Sequence, residues 1–278
     1  MMRDSGEDFG NLYESIKPDR ASRAFWSLNR EMNPANKVSF IRYIDCAGIE
    51  QLRRYASEKF GFKPSYATIV TKSAALALKE YPYANRLLLD NLFRKRMVQF
   101  HNCDITVAVE KNVEQNEAIV LAETIYGVEE KDMKTMQQEV LTMSNPKTDA
   151  NDRWTLFYNL LTKLPVFLSK LIIGMPKYSV RLWIKHRGGA CFVNSPARYG
   201  VDFLVADMLW PLTVSYGWAK DRPSVVEGEL CVRKTMPIII IFDRRIMAGV
   251  PAAKFFNRLA EILENADEEL KGHCVVGN

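Results

Sequence analysis

Four consecutive isoleucines, Ile238–Ile241, are followed by Phe242 and then abruptly by the charged residues Asp243–Arg245. A β-branched run with no polar residue at alternate positions is typical of a strand that is buried on both faces. The charged residues mark where the strand leaves the core, so the stretch from Asp243 to Gly249 is the first candidate site.

The rest of the chain alternates segments with strand and helix patterns. Gly61 follows the first well-defined helical pattern, and Ser65 precedes the next one. Strands are predicted at 38–44, 87–93, 96–100, 103–110 and 237–242, and helices at 22–32, 48–61, 68–82, 128–143 and 251–263. The predicted buried side of the last helix holds Ala253, Phe256, Leu259, Ala260 and Leu263.

The composition allows one large domain and excludes several classes of function. The chain has 278 residues, of which 47% are apolar, enough for a sizeable core. Its 38 basic and 33 acidic residues give a formal charge of +5 without a dense basic block, so no nucleic-acid partner is expected. Five cysteines, with no CxxC pair, indicate neither a disulfide framework nor a metal site. The polar N-terminus lacks the features of a signal peptide, so we expect a cytoplasmic location.

Two segments carry a resemblance to a known family. The first reads GGACFVNSPARYGVD over Gly188–Asp202, and the second reads DRRIMAG over Asp243–Gly249. In this order they resemble the Gly-Gly-Thr-Phe-Thr-x-Ser-Asn-x-Gly and Asp-His-Arg-x-x-Asp-Gly motifs of the dihydrolipoamide acyltransferase catalytic domain, from 2-oxo acid dehydrogenase complexes. The resemblance covers about 20–126 and 187–266. It implies the chloramphenicol acetyltransferase-like α/β fold, in which helices flank a mixed central sheet and copies form a homotrimer.

At several motif positions this chain carries different residues. Arg244 stands where the family has its catalytic histidine, and Ala248 stands where the family has an aspartate. Asn194 takes the place of the motif serine, which steadies the oxyanion in the family, and Ser195 takes the place of the motif asparagine. The resemblance also implies a site between neighbouring copies, in which the histidine position of one chain faces the serine position of another.

Acyl transfer from a thioester to a thiol or alcohol needs a base for the acceptor and donors for the oxyanion. Arginine cannot be that base, because its pKa above about 12 keeps it protonated. We therefore consider His186, which precedes Arg187-Gly188-Gly189, as a replacement base, and Asn194 and Ser195 as oxyanion donors. Arg244 is then either a cation for a carboxylate, a CoA phosphate or a thioester oxygen, or one half of a structural ion pair.

Residues 150–186 form an insertion relative to the family, and they combine apolar and basic side chains. Lys163, Lys170 and Lys177 recur at intervals of seven, and two prolines divide the segment into short helices. No charge-free stretch reaches the roughly 18–20 residues of a membrane-spanning helix. The pattern fits a helical excursion on the core, a lid or wall of an acyl-binding groove, or membrane-surface contact through 154–185.

Two functions remain open at this point. The first is a stand-alone homotrimeric acyltransferase that accepts an acyl group carried as a thioester by CoA or by an acyl carrier. The second is a non-catalytic scaffold or ligand-binding protein with the same trimeric fold. Neither function requires a metal, and no lipoyl-bearing module is recognised in this chain. The predicted organisation is a flexible arm over 1–18, one acyltransferase-like domain over 19–270 with the insertion, and a tail over 271–278.

Overall fold

The computed structural model describes residues 12–17, 36–90, 95–111, 119–144, 175–206 and 208–275. The strands in these ranges are β1 (Tyr13–Ile16), β2 (Lys37–Asp45), β3 (Arg86–Asp90), β4 (Lys95–Phe100), β5 (Ile105–Lys111), β6 (Ile119–Ile125), β7 (Cys191–Asn194), β8 (Leu212–Tyr216), β9 (Lys220–Val226) and β10 (Glu229–Asp243). The helices are α1 (Ala47–Phe60), α2 (Tyr66–Glu80), α3 (Met133–Ser144), α4 (Val180–Arg187), α5 (Gly249–Glu264) and α6 (Ala266–Glu269).

Two sheets organise the described part of the chain. The larger sheet has seven strands in the order β2-β10-β8-β7-β5-β6, and β9 pairs with the outer part of β10. It is a mixed sheet, because β5, β7 and β8 run parallel to one another while the remaining pairs are antiparallel. The smaller sheet has three antiparallel strands in the order β1-β4-β3.

Strand β10 is an inner strand of the larger sheet, between the edge strand β2 and β8. From Thr235 to Asp243 all of its side chains are buried, because β2 and β8 pair with it and both faces are covered. Ile238, Ile240 and Phe242 belong to the main core, whereas Ile239 and Ile241 point to the opposite face. The prediction of a strand buried on both faces is confirmed.

Helices α1, α2 and α5 cover the main-core face, and their ends follow the predicted signals. The Ser65 hydroxyl accepts a hydrogen bond from Thr68 N at 3.1 Å, and Gly61 ends α1 with a φ of 65°. Ala253 of α5 is exposed, so its predicted burial is wrong. The other four predicted residues are buried, and Ala252 rather than Ala253 lies in the core. The buried residues of this helix are Ala252, Phe255, Phe256, Leu259, Ala260, Ile262 and Leu263.

The opposite face of the larger sheet is covered by α4 and the smaller sheet. The Phe192 ring of β7 stacks on Trp210 with the ring centroids 4.5 Å apart. Trp183 of α4 donates from Nε1 to Gly189 O at 3.0 Å, which fixes the end of α4 beside the start of β7. This second core contains Leu87, Leu89, Val98, Phe100, Val180, Trp183, Ile184, Ala190, Phe192 and Trp210.

Both predicted terminal segments contain regular structure. Within the arm predicted to be flexible, Tyr13–Ile16 pair with β4, so this part of the arm is a strand. In the predicted tail, Lys271–His273 form a 3-10 helix and Cys274 is fully buried. Lys134 N donates to Cys274 O at 3.2 Å, which ties the tail to α3.

Most of the predicted insertion lies outside the described residues, since only 175–186 of the range 150–186 are described. The helix predicted over 22–32 also lies outside them. Met175–Tyr178 form a 3-10 helix that leads into α4. None of the helices in the described ranges is long and apolar enough to cross a membrane. The lid, wall and membrane-surface interpretations of 154–185 stay predictions.

Candidate functional site

The corner after β10 is closed by one buried carboxylate. Asp243 is 5% exposed, and its Oδ1 accepts from Arg245 N at 2.9 Å. The Arg245 guanidinium donates from Nε to Asp243 Oδ1 at 3.0 Å and from Nη2 to Asp243 Oδ2 at 2.7 Å. Asp243 O also accepts from Ile246 N at 3.0 Å, which starts the turn towards α5. Asp243 therefore fixes both the backbone of the corner and the side chain of Arg245.

Arg244 lies between Asp243 and Arg245 in the sequence, but its side chain takes no part in their ion pair. Its backbone N–H donates to Asn36 O at 2.8 Å, and its side chain is half-buried. Within the part of the chain that the structure describes, no group forms a hydrogen bond or ion pair with the Arg244 guanidinium. The ion pair at this corner belongs to Arg245, so the described residues include no partner for a structural ion pair of Arg244.

Asn194 and Ser195 lie where β7 ends. Asn194 is 6% exposed, and its Oδ1 accepts a hydrogen bond from the Ser215 hydroxyl of β8. Within the described residues nothing accepts from Asn194 Nδ2, so this amide group is available as a donor. The Ser195 hydroxyl instead donates its only proton to Tyr216 O at 2.6 Å and accepts from Ala197 N at 3.0 Å. Ser195 thus stabilises a turn, and Asn194 is the better oxyanion donor of the two.

In a single chain, Arg244 and Asn194 lie at opposite ends of the larger sheet. Asn194 is in register with Ser215 of β8, which is in register with Ile239 of β10. Arg244 lies five residues beyond Ile239, which corresponds to about 16 Å along the strand. The two predicted site residues therefore meet only if a neighbouring copy brings its own end of the sheet to the other.

His186 is exposed near the C-terminal end of α4. Two backbone hydrogen bonds connect the residues just after α4 to the Arg244 corner through the start of β8. Leu212 N donates to Ala190 O at 3.1 Å, and Asp243 N donates to Pro211 O at 2.8 Å. His186 therefore lies towards the same end of the sheet as Arg244, and away from Asn194.

A carboxylate also lies at the Asn194 end. Glu110 of β5 accepts from the Tyr199 hydroxyl at 2.7 Å and from Arg198 Nη1 at 3.2 Å. The hydrogen bond to Glu110 raises the pKa of the Tyr199 phenol. Cys191, by contrast, is fully buried, and burial raises the pKa of its thiol. The thiol is therefore a packing group rather than a nucleophile.

A cavity of about 450 Å³, which we call the corner cavity, opens beside the Asp243–Arg245 pair. Lys37 is half-buried at its edge, and its Nζ donates to Met208 O at 2.9 Å and to Trp210 O at 2.6 Å. The described lining residues are Asn36, Lys37, Leu87, Leu88, Leu89, Lys177, Trp183, Met208, Leu209, Pro211, Asp243 and Arg245. Among the described residues, no group of three or more His, Cys, Asp or Glu side chains is placed to hold a metal ion.

The family model for the catalytic domain of 2-oxoacid dehydrogenases acyltransferase matches residues 20–151 and 185–270. The chain belongs to this acyltransferase family. The break between the two matched ranges falls within the insertion predicted from the sequence. No curated protein sequence matches the chain.

Solved structures of acyltransferases have the same fold. The dihydrolipoamide acetyltransferase of Azotobacter vinelandii has a TM-score of 0.61 at 18% identity, over 92% of this chain and 93% of that one. The cubic core of the pyruvate dehydrogenase multienzyme complex has a TM-score of 0.58 at 17% identity, over 92% and 93%. Chloramphenicol acetyltransferase has a TM-score of 0.55 at 13% identity, over 91% and 100%. These likenesses confirm the predicted chloramphenicol acetyltransferase-like fold.

Three features of the candidate site were not predicted from the sequence. They are the Asp243–Arg245 pair, the hydrogen bond from Ser215 to Asn194, and the corner cavity. The sequence Asp-Arg-Arg indicates that Asp243 pairs with an arginine, but not which of the two adjacent arginines it pairs with. The second and third join residues that are far apart along the chain, so no local pattern indicates them.

Proposed function

We propose that the protein transfers an acyl group from a CoA-type thioester, at a site shared between two copies in a homotrimer. The observation that carries this proposal is the guanidinium of Arg244, which has no partner among the described residues and is held at a corner fixed by Asp243. Membership of the acyltransferase family supports acyl transfer as the reaction class. A permanent cation at this place suits a thioester oxygen that becomes negatively charged during the reaction.

In this proposal the thioester carbonyl lies between Arg244 of one copy and Asn194 of the next. Arg244 and Asn194 Nδ2 stabilise the oxyanion, while Ser215 holds Asn194 Oδ1 and so orients the amide. His186 accepts the proton of the acceptor thiol or alcohol, since an imidazole ordinarily titrates near neutral pH. The acceptor atom attacks the carbonyl carbon, the carbon–sulfur bond breaks, and His186 returns the proton to the leaving thiolate.

The homotrimer and a cytoplasmic location are parts of the same proposal. Exposed apolar side chains on and near β2 support a contact between copies: Ile41 is 49% exposed and Tyr43 is 46% exposed. Phe203, next to Tyr43 with the ring centroids 5.7 Å apart, is exposed as well. All five cysteines are free thiols, which suits a reducing compartment. Sedimentation equilibrium that finds only monomer would contradict the shared site.

The direct test is acyl transfer from acetyl-CoA and longer acyl-CoA thioesters to thiol, amine and alcohol acceptors. Arg244→Ala is expected to lower turnover about 100-fold or more, as for the loss of one oxyanion donor. His186→Ala is expected to lower it by a similar or larger factor, about 100-fold or more. Ser195→Ala is expected to have little effect on turnover. Arg54→Ala, on the exposed face of α1, is the matched control. Turnover unaffected by both Arg244→Ala and His186→Ala would show that the site is wrong.

The second candidate is a ligand-binding protein without turnover. It is favoured by the arginine at the family's histidine position, because arginine cannot accept a proton. Acyl-CoA that binds, but is not consumed with any acceptor, would support this function over the first.

A further inference from the structure

A second cleft, with a volume of about 310 Å³, lies where the smaller sheet meets the start of α4. We call it the arginine cleft, and its described lining residues are Tyr13, Leu89, Arg96 and residues 178–181. Leu89 also lines the corner cavity, so the two openings are neighbours. Arg244, Asn194 and His186 are not among the described lining residues. The arginine cleft is therefore separate from the residues proposed for acyl transfer.

The smaller sheet holds the guanidinium of Arg96 in this cleft. Arg96 is in register with Leu89, and it lies on the same face of β4 as Val98, which is fully buried in the second core. Its Nε donates to Ser15 Oγ at 2.6 Å, and its guanidinium carbon lies 5.4 Å from the centre of the Tyr13 ring. These contacts orient the guanidinium. Its two terminal nitrogens have no hydrogen-bond partner in the described part of the chain.

Arg181, the second residue of α4, provides a second cation. It is exposed, and it forms no hydrogen bond or ion pair with any described residue. Tyr13, Tyr178 and Ser179 add three hydroxyl groups, none of which has a hydrogen-bond partner among the described residues. The described lining includes no Asp or Glu. The arginine cleft thus combines two guanidinium groups and three hydroxyls whose donors are unused within the described residues.

This set of donors suits a phosphate group. Two guanidinium groups at one cleft repel each other, and an anion between them is attracted by both. Arginine donates two parallel hydrogen bonds to phosphate oxygens, and the hydroxyls supply donors for the oxygens that remain. The volume of about 310 Å³ lies at the lower end of the roughly 300–1,000 Å³ typical of small-molecule sites. A phosphate with a small organic substituent therefore matches the cleft in both charge and size.

We propose that the arginine cleft binds the phosphate monoester group of a small ligand, with Arg96 and Arg181 holding its terminal oxygens. This goes beyond the proposed function, because it requires neither acyl transfer nor a second copy of the chain. Two sources carry this group: a soluble organic phosphate, and the head group of phosphatidic acid in a membrane. Recognition by the two arginines is the same for both, so separate experiments distinguish the sources.

The first experiment compares phenyl phosphate with phenyl sulfate by calorimetry, using the whole protein at low ionic strength. The two ligands have nearly the same shape, but the phosphate carries a charge of about −1.5 to −2 at neutral pH and the sulfate a single negative charge. We expect phenyl phosphate to bind several-fold more tightly, because two guanidinium groups face the charge. Equal affinities, or no binding of phenyl phosphate, would overturn the proposal.

The second experiment locates the bound phosphate with substitutions on the exposed side of α4. Arg181→Gln should weaken phenyl phosphate about tenfold, as for the loss of one charged hydrogen-bond donor. Arg181→Lys keeps the charge without the two-armed geometry, so its loss should be smaller. Lys185→Gln is the matched control, because Lys185 is exposed one turn further along α4 and lies outside the described lining. Equal losses in Arg181→Gln and Lys185→Gln would assign the binding to the general charge of the helix and overturn the site.

Arg96→Gln tests the other half of the arginine cleft. It should also weaken phenyl phosphate about tenfold or more, because Arg96 is half-buried and already oriented. Since this substitution also removes the contact with Ser15, urea unfolding of the variant verifies that it is folded. An unchanged affinity in both Arg96→Gln and Arg181→Gln would place the phosphate elsewhere.

Vesicles distinguish the two sources of the phosphate group. One set contains phosphatidic acid, and the other contains phosphatidylglycerol at the same total charge, both in phosphatidylcholine. A membrane source predicts co-sedimentation with phosphatidic acid vesicles alone, which Arg181→Gln removes. A soluble source predicts binding of phenyl phosphate and co-sedimentation with neither set. Co-sedimentation with both sets that Arg181→Gln leaves unchanged, together with no binding of phenyl phosphate, would overturn the proposal.

Discussion

The Asp243 carboxylate and the Arg245 guanidinium form a two-armed pair across two residues of chain, with Nη2–Oδ2 and Nε–Oδ1 distances of 2.7 and 3.0 Å. The pair closes the corner at the end of β10. Because Arg245 satisfies the buried carboxylate, Arg244 between them is left to face another group. The same corner thus contains one structural arginine and one candidate functional arginine.

Loss of this pair should destabilise the protein. Arg245→Ala leaves a buried carboxylate without its guanidinium, and we expect the free energy of unfolding to fall by about 2–3 kcal/mol. Arg245→Lys keeps the charge but not the two-armed geometry, so its loss should be smaller. Urea denaturation of both variants, with Arg54→Ala as an unaffected surface control, measures the difference. Equal stability of Arg245→Ala and the parent would contradict a structural role for the pair.

The substitution Arg244→His tests two alternatives. In the first, the Arg244 cation takes part in catalysis; in the second, the chain is inactive because it lacks the family's catalytic histidine. If Arg244 stabilises the oxyanion, this substitution lowers acyl transfer, because a neutral imidazole gives up the permanent charge. If the chain is a non-catalytic relative, the parent shows no acyl transfer, and the same substitution restores the family's histidine and produces a measurable rate. We expect the first outcome. Initial rates with acyl-CoA and a thiol acceptor, compared with Arg244→Ala, decide between them.

A site shared between copies predicts that two inactive variants complement each other. Chains carrying Arg244→Ala lack one half of the site, and chains carrying Asn194→Ala lack the other half. After mixed refolding at equal amounts, about one quarter of the interfaces of a closed ring contain both intact residues. Transfer should therefore recover to about that fraction of the parent rate. Each variant refolded alone serves as its control, and a mixture no more active than the two alone would argue for a site within one chain.

A buried lysine gives the fold a pH dependence in the alkaline range. Lys72 of α2 is fully buried, and its Nζ donates to Val128 O, Glu129 O and Lys131 O at 3.0, 2.8 and 2.8 Å. Burial lowers the pKa of Lys72 from 10.5 to about 8. Between these two values the unfolded chain binds one more proton than the folded chain does. The Lys72 contribution to the free energy of unfolding therefore rises with pH from about 8 to about 10.5, and it is constant below about 8.

The measurement compares the parent with Lys72→Met by urea unfolding at several pH values. The comparison is needed because buried thiols lower the free energy of unfolding as the pH rises, which opposes the effect of Lys72. Burial raises the pKa of Cys46 to about 12 and of Cys274 to about 11. The difference in stability between parent and variant should change by up to about 1.4 kcal/mol per pH unit in favour of the parent. A difference that is flat across this range would mean that Lys72 titrates as an exposed lysine does.

The sequence predicted what local patterns determine. The isoleucine run indicated β10 because an apolar residue at every position has one common explanation, and Ser65 and Gly61 marked helix ends through their own backbone chemistry. The family motifs located Arg244 and Asn194. The pairing of Arg245 rather than Arg244 with Asp243 could not be predicted, because it depends on which way the turn directs two adjacent side chains.

The corner cavity was beyond sequence reasoning for a different reason. Its walls come from Leu89 of β3, Trp183 of α4 and Met208 before β8, and these meet only when the smaller sheet packs on the larger one. The strand Tyr13–Ile16, within the arm predicted to be flexible, could not be predicted for the same reason, since its partner β4 lies far along the chain.

The four isoleucines of β10 cannot by themselves set the register of that strand against its neighbours. A slip of one residue would exchange Ile238 and Ile240 for Ile239 and Ile241, which leaves an isoleucine at each of these two places. Alignment must therefore come from the two ends. At one end the tight turn of β9 to β10 needs positive φ at Glu227 and Gly228, and at the other Asp243 must reach Arg245. The Asp243 carboxylate thus also helps to fix the register of the four isoleucines.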